Sequence, residues 1–146
     1  MGFWYPDLQL GFYCPIDFDI PCKLASSENS TPVFFFEALC VASAIHSIDK
    51  HCLSTRTAVI YSDNSNTVDM FNSLRALPPY NPILTSSVDS LLSQSIDIRV
   101  LHIDGSKNSV ADALSRGKFE LAKSLAGNLS IINFTPPRNA LGAVKK

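Results

Sequence analysis

Two aromatic-rich runs, MGFWY and LQLGFYC, open the chain, separated by Pro6-Asp7. Side chains that suit a pleated surface, interrupted by a turn pair, predict two antiparallel strands joined tightly. Pro, Ser, Asn and charged residues from Asp17 to Ser30 predict a loop. Thr31-Pro32 supplies a cap and a first-turn proline, so VFFFEALCVASAIHSI reads as a helix to about Ile48. RTAVIYS, Arg56 to Ser62, is apolar through its centre, the pattern of a strand buried on both faces.

After Asp63 the Asn/Ser-rich NSNT opens a second helix on which Val68, Phe71, Leu74 and Leu77 recur at three-residue spacing before Pro78-Pro79. NPILTSSVDSLLSQS predicts another helix or pair of turns, with Ile83, Leu84, Val88, Leu91 and Leu92 as its buried side. In IDIRVLHI one face takes Ile96, Ile98, Val100 and His102, and the other takes Asp97, Arg99 and Leu101, which predicts the last strand. Gly105 turns the chain into NSVADALSR, a helix capped by Asn108 or Ser109. Beyond Gly117 follow a short helix to about Leu125, an apolar LSIINF, and TPPRNALGAVKK, which reads as a linker or tail. This order of elements predicts an α/β fold, a mixed β-sheet with helices packed on it.

At 146 residues, 46% of them apolar, the chain suits one compact domain. No apolar run nears the roughly 20 residues of a membrane span, and no signal segment opens the chain, so an intracellular protein with no membrane partner is expected. Cys14, Cys22, Cys40 and Cys52 lie too far apart for a C-x-x-C pair and read as reduced, partly buried thiols. His51 beside Cys52 is a weak metal signal. The net charge of −1 conceals a split: residues 1–98 hold four Lys/Arg against ten Asp/Glu, and residues 99–146 hold eight against three. An acidic centre beside a phosphate-facing segment would produce it, and so would an ordinary mixed surface.

Three carboxylates occupy special places. Glu37 lies early in the first long helix, and the positions sharing its face, Val41, Ala44 and Ile48, are apolar, where an acid is costly unless something positive meets it. Asp63 ends the central strand, at the carboxyl edge where open α/β sheets hold their ligands. Asp112 sits one turn inside the last helix. Each also has a purely structural role open to it: Glu37 and Asp112 as complements to a helix dipole, Asp63 as a cap. Taken together they suggest convergence around hard cations, since Mg²⁺ or Mn²⁺ takes oxygen ligands and two such ions about 4 Å apart can activate water and stabilise a leaving oxygen.

The stretch HIDGSKNSVADALSR, His102 to Arg116, resembles the H-x-P-G-x-x-N-x-x-A-D-A-L-S-R segment that closes the ribonuclease H domain of fungal gypsy-type and related retroelement reverse transcriptases. FFFEALCVASAI resembles the family's first helix with its catalytic glutamate, and VIYSDNSNTVDMFNSL resembles the strand and helix bearing its second aspartate. The likeness covers residues 1–116 as a ribonuclease H-like domain, leaving 117–146 as an extension or linker. It implies that Glu37, Asp63 and Asp112 hold Mg²⁺ or Mn²⁺. It also implies that His102 matches the family's loop histidine, for which an imidazole titrating near neutrality is suited. Asn108 would cap the helix that aims Asp112, a supporting role. Ser62, Asn64, Asn66, Lys107 and Asn108 would meet the nucleic-acid backbone, although all are common loop or cap residues.

One departure matters. Family members begin with a strand bearing an aspartate, whereas MGFWYP resembles their second strand, so the first strand is expected to be missing or replaced. Asp7, Asp17 and Asp19 do not match its position. Its gap would leave backbone groups in mid-sheet in need of partners, filled by added residues, by a rearranged MGFWY, or by a strand exchanged in a homodimer. The resemblance implies a divalent-metal-dependent nuclease acting on RNA/DNA hybrid, RNA or DNA. The alternatives are a catalytically degenerate retroelement-derived domain that binds nucleic acid or a protein partner, and a dimerising module with no enzymatic role.

Overall fold

The computed structural model describes residues 1–18 and 33–142. The expected loop from Asp17 to Ser30 and the Thr31-Pro32 cap lie largely or wholly outside the described residues, as do Asp19 and Cys22. The protein is mixed α/β, and its chain divides into two compact units. One comprises Met1–Phe18 and Ile103–Thr135; the other comprises Asp19–His102 and Pro136–Lys146.

In the first unit the aromatic runs form β1 (Gly2–Tyr5) and β2 (Leu10–Tyr13), antiparallel as their sequence predicts. Pro6–Leu8 makes a 3-10 turn closed by Gln9 in the left-handed region, whose N–H donates to the Pro6 carbonyl at 3.2 Å. Phe3 and Phe12 are register partners, and their rings stack with centroids 4.6 Å apart, a cross-strand contact that fixes the register. Two helices, Ser109–Ser115 and Phe119–Ala126, and a third strand complete the unit. That strand, Ser130–Asn133, is formed by LSIINF, which corrects the expectation that IDIRVLHI is the last strand, and it pairs with β2 in parallel. The strand order is therefore β1, β2, then Ser130–Asn133.

Val110, Ala113, Leu114, Ala122 and Leu129 form the core of this unit, with Trp4, Phe119 and Ile131 packed around it. Leu114 reaches the hairpin because Gly2 leaves room for it. A Cβ at Gly2 would lie 2.6 Å from the Ser115 nitrogen and 2.7 Å from the Leu114 Cβ, so helix backbone and strand backbone meet without an intervening side chain.

The second unit begins with α1 (Val33–His51), three residues longer than the apolar run alone suggests. The face read from Glu37, comprising Val41, Ala44 and Ile48, is buried, and so are Ala42, Ser43 and Ile45. The helix is thus covered around most of its girth. Next come β3 (Thr57–Ser62), α2 (Ser65–Ser73), α3 (Asn81–Gln94) and β4 (Asp97–His102). In chain order the two helices of the first unit become α4 (Ser109–Ser115) and α5 (Phe119–Ala126), and its third strand becomes β5 (Ser130–Asn133).

Strands β3 and β4 pair in parallel, Thr57 opposite Asp97 through Ser62 opposite His102. Their inner face carries Val100, fully buried as the alternation of IDIRVLHI predicts. The other face is open: Val59 is 54% and Tyr61 58% exposed, which corrects the expectation of burial on both sides of β3. An apolar run reads the same either way, because Val, Ile and Tyr are strand formers whether or not both faces are covered.

Two helices differ from their apolar pattern. α2 ends when Leu74 adopts a left-handed conformation, φ 54°, so Leu74 and Leu77 lie beyond the helix, exposed, and its buried side is Thr67, Met70 and Phe71. On α3 the buried side holds Ile83 and Leu84 as expected, but it continues through Ser86, Ser87 and Ser90 while Leu92 is exposed. Small hydroxyls that bond back to their own helix fit a close helix contact; Ser87 donates to the Ile83 carbonyl at 2.8 Å.

Candidate functional site

Asp63 follows the last residue of β3 and precedes a tightly built helix start. The Asn64 carboxamide oxygen accepts from the Thr67 N–H at 2.9 Å and from the Thr67 hydroxyl at 3.1 Å, while the Asn64 N–H donates to the Ser62 hydroxyl at 3.2 Å. Ser62 and Thr67 are buried, and Asp63 is exposed above them. Asn64 is thereby the cap, the role its residue type favours. Ser62 and Asn64 spend these polar groups on the strand-to-helix turn; Asn66 stands exposed in the first turn of α2.

His102 ends β4, exposed, and its register partner is Ser62. Asp63, the residue after Ser62, and His102 therefore both lie at the carboxyl ends of a parallel pair, the edge at which open α/β sheets present functional groups. Glu37 is half-buried on α1 in the same unit.

Asp112 belongs to the other unit, on α4. Its carboxylate takes a 3.1 Å ion pair from the Arg116 Nε four residues on, with both side chains more than half exposed. Such a pair contributes roughly 0.3–0.5 kcal/mol and yields easily to a stronger cation. Asn108 occupies the position before α4, but its side chain makes no capping hydrogen bond; its carbonyl accepts from the Asp112 N–H at 3.0 Å. The preceding turn is held instead by Asp104, whose carboxylate accepts from the Ser106 N–H and hydroxyl at 2.9 and 2.8 Å, leaving Lys107 exposed.

The predicted residues therefore divide, Glu37, Asp63 and His102 in one unit and Asp112 in the other. Among the described residues no group of three or more His, Cys, Asp or Glu side chains is gathered closely enough to hold a metal ion. Glu37 and Asp63 offer the hard oxygen donors Mg²⁺ takes, but neither unit assembles a full donor set by itself.

Cys14 and Cys52 are free thiols. Burial pushes the Cys14 thiol up, so it stays protonated and structural. No helix among the described residues is long and apolar enough to cross a membrane.

Two features escaped the sequence. The Asn72 carboxamide donates to the Val100 carbonyl at 2.7 Å and accepts the Val100 N–H at 3.2 Å, clamping α2 to β4. A cleft also opens beside α2, floored by Phe34 and Tyr80. Its one signal in the sequence was the i, i+3, i+4 spacing of Asn66, Asp69 and Met70 along one helix face.

No family model, curated protein or solved structure matches the chain.

Proposed function

We propose that this chain is a ribonuclease H-like domain that hydrolyses phosphodiester bonds in RNA/DNA hybrid or a related nucleic acid, with Mg²⁺ or Mn²⁺ held by Glu37, Asp63 and Asp112. The reading is carried by the placement of Asp63 and His102 at the carboxyl ends of β3 and β4, with Glu37 on a helix of the same unit. The stretches around these residues are also those that resemble the family's motifs. A bound divalent ion would neutralise charge at the phosphate. His102 stands at the strand end, where it can exchange a proton with water or a leaving oxygen, and exposed Asn66 and Lys107 suit contacts to the phosphate backbone. An intracellular setting belongs to this reading.

Cleavage of labelled hybrid, single-stranded RNA and DNA, with and without EDTA, tests it. Asp63→Asn should lower turnover by more than the 10- to 100-fold that changes behind the metal ligands cost. Activity equal to wild type in that variant, or turnover indifferent to EDTA, would refute the metal mechanism.

A second reading, a degenerate domain that binds nucleic acid without cutting it, is favoured by the absence of a gathered donor set among the described residues and by the Asp112–Arg116 pair. It expects salt-sensitive binding with no product. Exchange of a strand in a homodimer is part of either reading. Asn72 already satisfies Val100 of β4, whereas among the described residues β3 pairs with no strand on its other side.

A further inference from the structure

The cleft beside α2 is open to solvent and offers about 400 Å³, within the range of small-molecule sites. Phe34 and Tyr80 form its floor, their ring centroids 4.5 Å apart, and Met70 and Leu77 add apolar walls. Leu77 is 70% exposed, an apolar side chain left at the rim. Tyr80 is only 5% exposed, and its hydroxyl, with no hydrogen-bond partner among the described residues, keeps its contact with solvent. That hydroxyl is available to donate to a ligand seated in the cleft, exchanging a bond to water for one to the ligand.

Two opposite charges line the same cleft without meeting. Asp69 lies on the α2 face and Arg75 just past the left-handed turn at Leu74, and among the described residues neither forms an ion pair. A ligand that uses all of this has a flat apolar body for the aromatic floor, N–H donors along one edge for the carboxylate, and an anion for the guanidinium. We propose that the cleft binds a nucleoside phosphate, base inward and phosphate at Arg75, either as a free nucleotide or as the unpaired end of a strand. Guanine, with two adjacent N–H groups on one edge, matches Asp69 best.

This site does not rest on the nuclease reading, so the test is run in EDTA, where loss of hydrolysis cannot be mistaken for loss of binding. Titration calorimetry with guanosine 5′-monophosphate is the probe, with guanosine, inorganic phosphate and tryptophan as comparisons. Tyr80→Phe should weaken the nucleotide about tenfold, the size of one hydrogen bond, while the thermal midpoint stays level because the hydroxyl bonds nothing in the fold. Arg75→Gln should weaken the monophosphate and leave guanosine alone. A guanine-ended oligonucleotide that binds where the monophosphate does not would assign the site to strands; comparable binding of both would assign it to free nucleotides. No binding of either at millimolar concentration, tryptophan binding more tightly, or affinities unmoved by both variants would overturn the proposal.

Discussion

His46 on α1 shows how one side chain links three segments of the second unit. Its Nε2 lies 2.9 Å from the Ser86 hydroxyl of α3, and that hydroxyl donates to the Asn139 carbonyl oxygen at 2.8 Å. With the hydroxyl hydrogen committed to Asn139, Nε2–H is the donor to Ser86. Burial lowers the His46 pKa from its ordinary 6.5, and Lys50 adds to that, against smaller upward contributions from the Ser86 bond and Asp49. The folded state therefore binds fewer protons than the unfolded state in the window between the two values. Stability is fully present above about pH 6.5 and is lost as pH falls through the lower folded value. The thermal midpoint should decline from about pH 7 to 5, and His46→Gln, which keeps a donor without titrating, should flatten that decline. A variant whose profile runs parallel to wild type would show that His46 is not its source.

Between elements, the strongest local statement is the Asn72 clamp. Val100 is fully buried, so its N–H and C=O need partners, and a side-chain amide supplies both where a neighbouring strand otherwise would. Asn72→Ala strands both groups, at a cost of about 1–3 kcal/mol each. Urea unfolding should register a large loss, with Asn72→Asp intermediate because it keeps the acceptor. A change within about 0.5 kcal/mol would mean that water satisfies Val100 instead. Helix and strand positions were legible in the sequence at this scale: β1, β2, α1 and β4 follow from aromatic runs, burial spacing and alternation. The clamp was not legible, because an asparagine near a helix end looks like any solvated polar residue until the strand 28 residues away is in place.

For the whole molecule, the charge split along the sequence disappears on folding. The unit holding residues 1–18 and 103–135 carries four Lys/Arg against five Asp/Glu, and the other unit carries eight of each. A basic segment and an acidic segment of sequence are thus distributed across both units, and the split supports no steering field by itself. The proposed metal ligands are divided between the units, Glu37 and Asp63 in one and Asp112 in the other. If the three share an ion, Mg²⁺ at about a hundredfold its dissociation constant should stabilise the fold by about 2.7 kcal/mol, and Asp63→Asn and Asp112→Asn should each abolish the gain. A melting temperature indifferent to Mg²⁺ and Mn²⁺ would leave the binding-only reading.

The sequence by itself determined where most helices and the first four strands run, that Glu37 sits on the buried first helix, and that Asp63 and His102 stand at strand ends. All of these depend on periods of two or 3.6 residues imposed by local backbone geometry. Tertiary structure alone decided that β3 keeps one open face, that serines rather than Leu92 line the inner side of α3, and that Phe34, Asp69, Arg75 and Tyr80 share a cleft. Those outcomes turn on which distant segments exclude water from which atoms, and no local period encodes that.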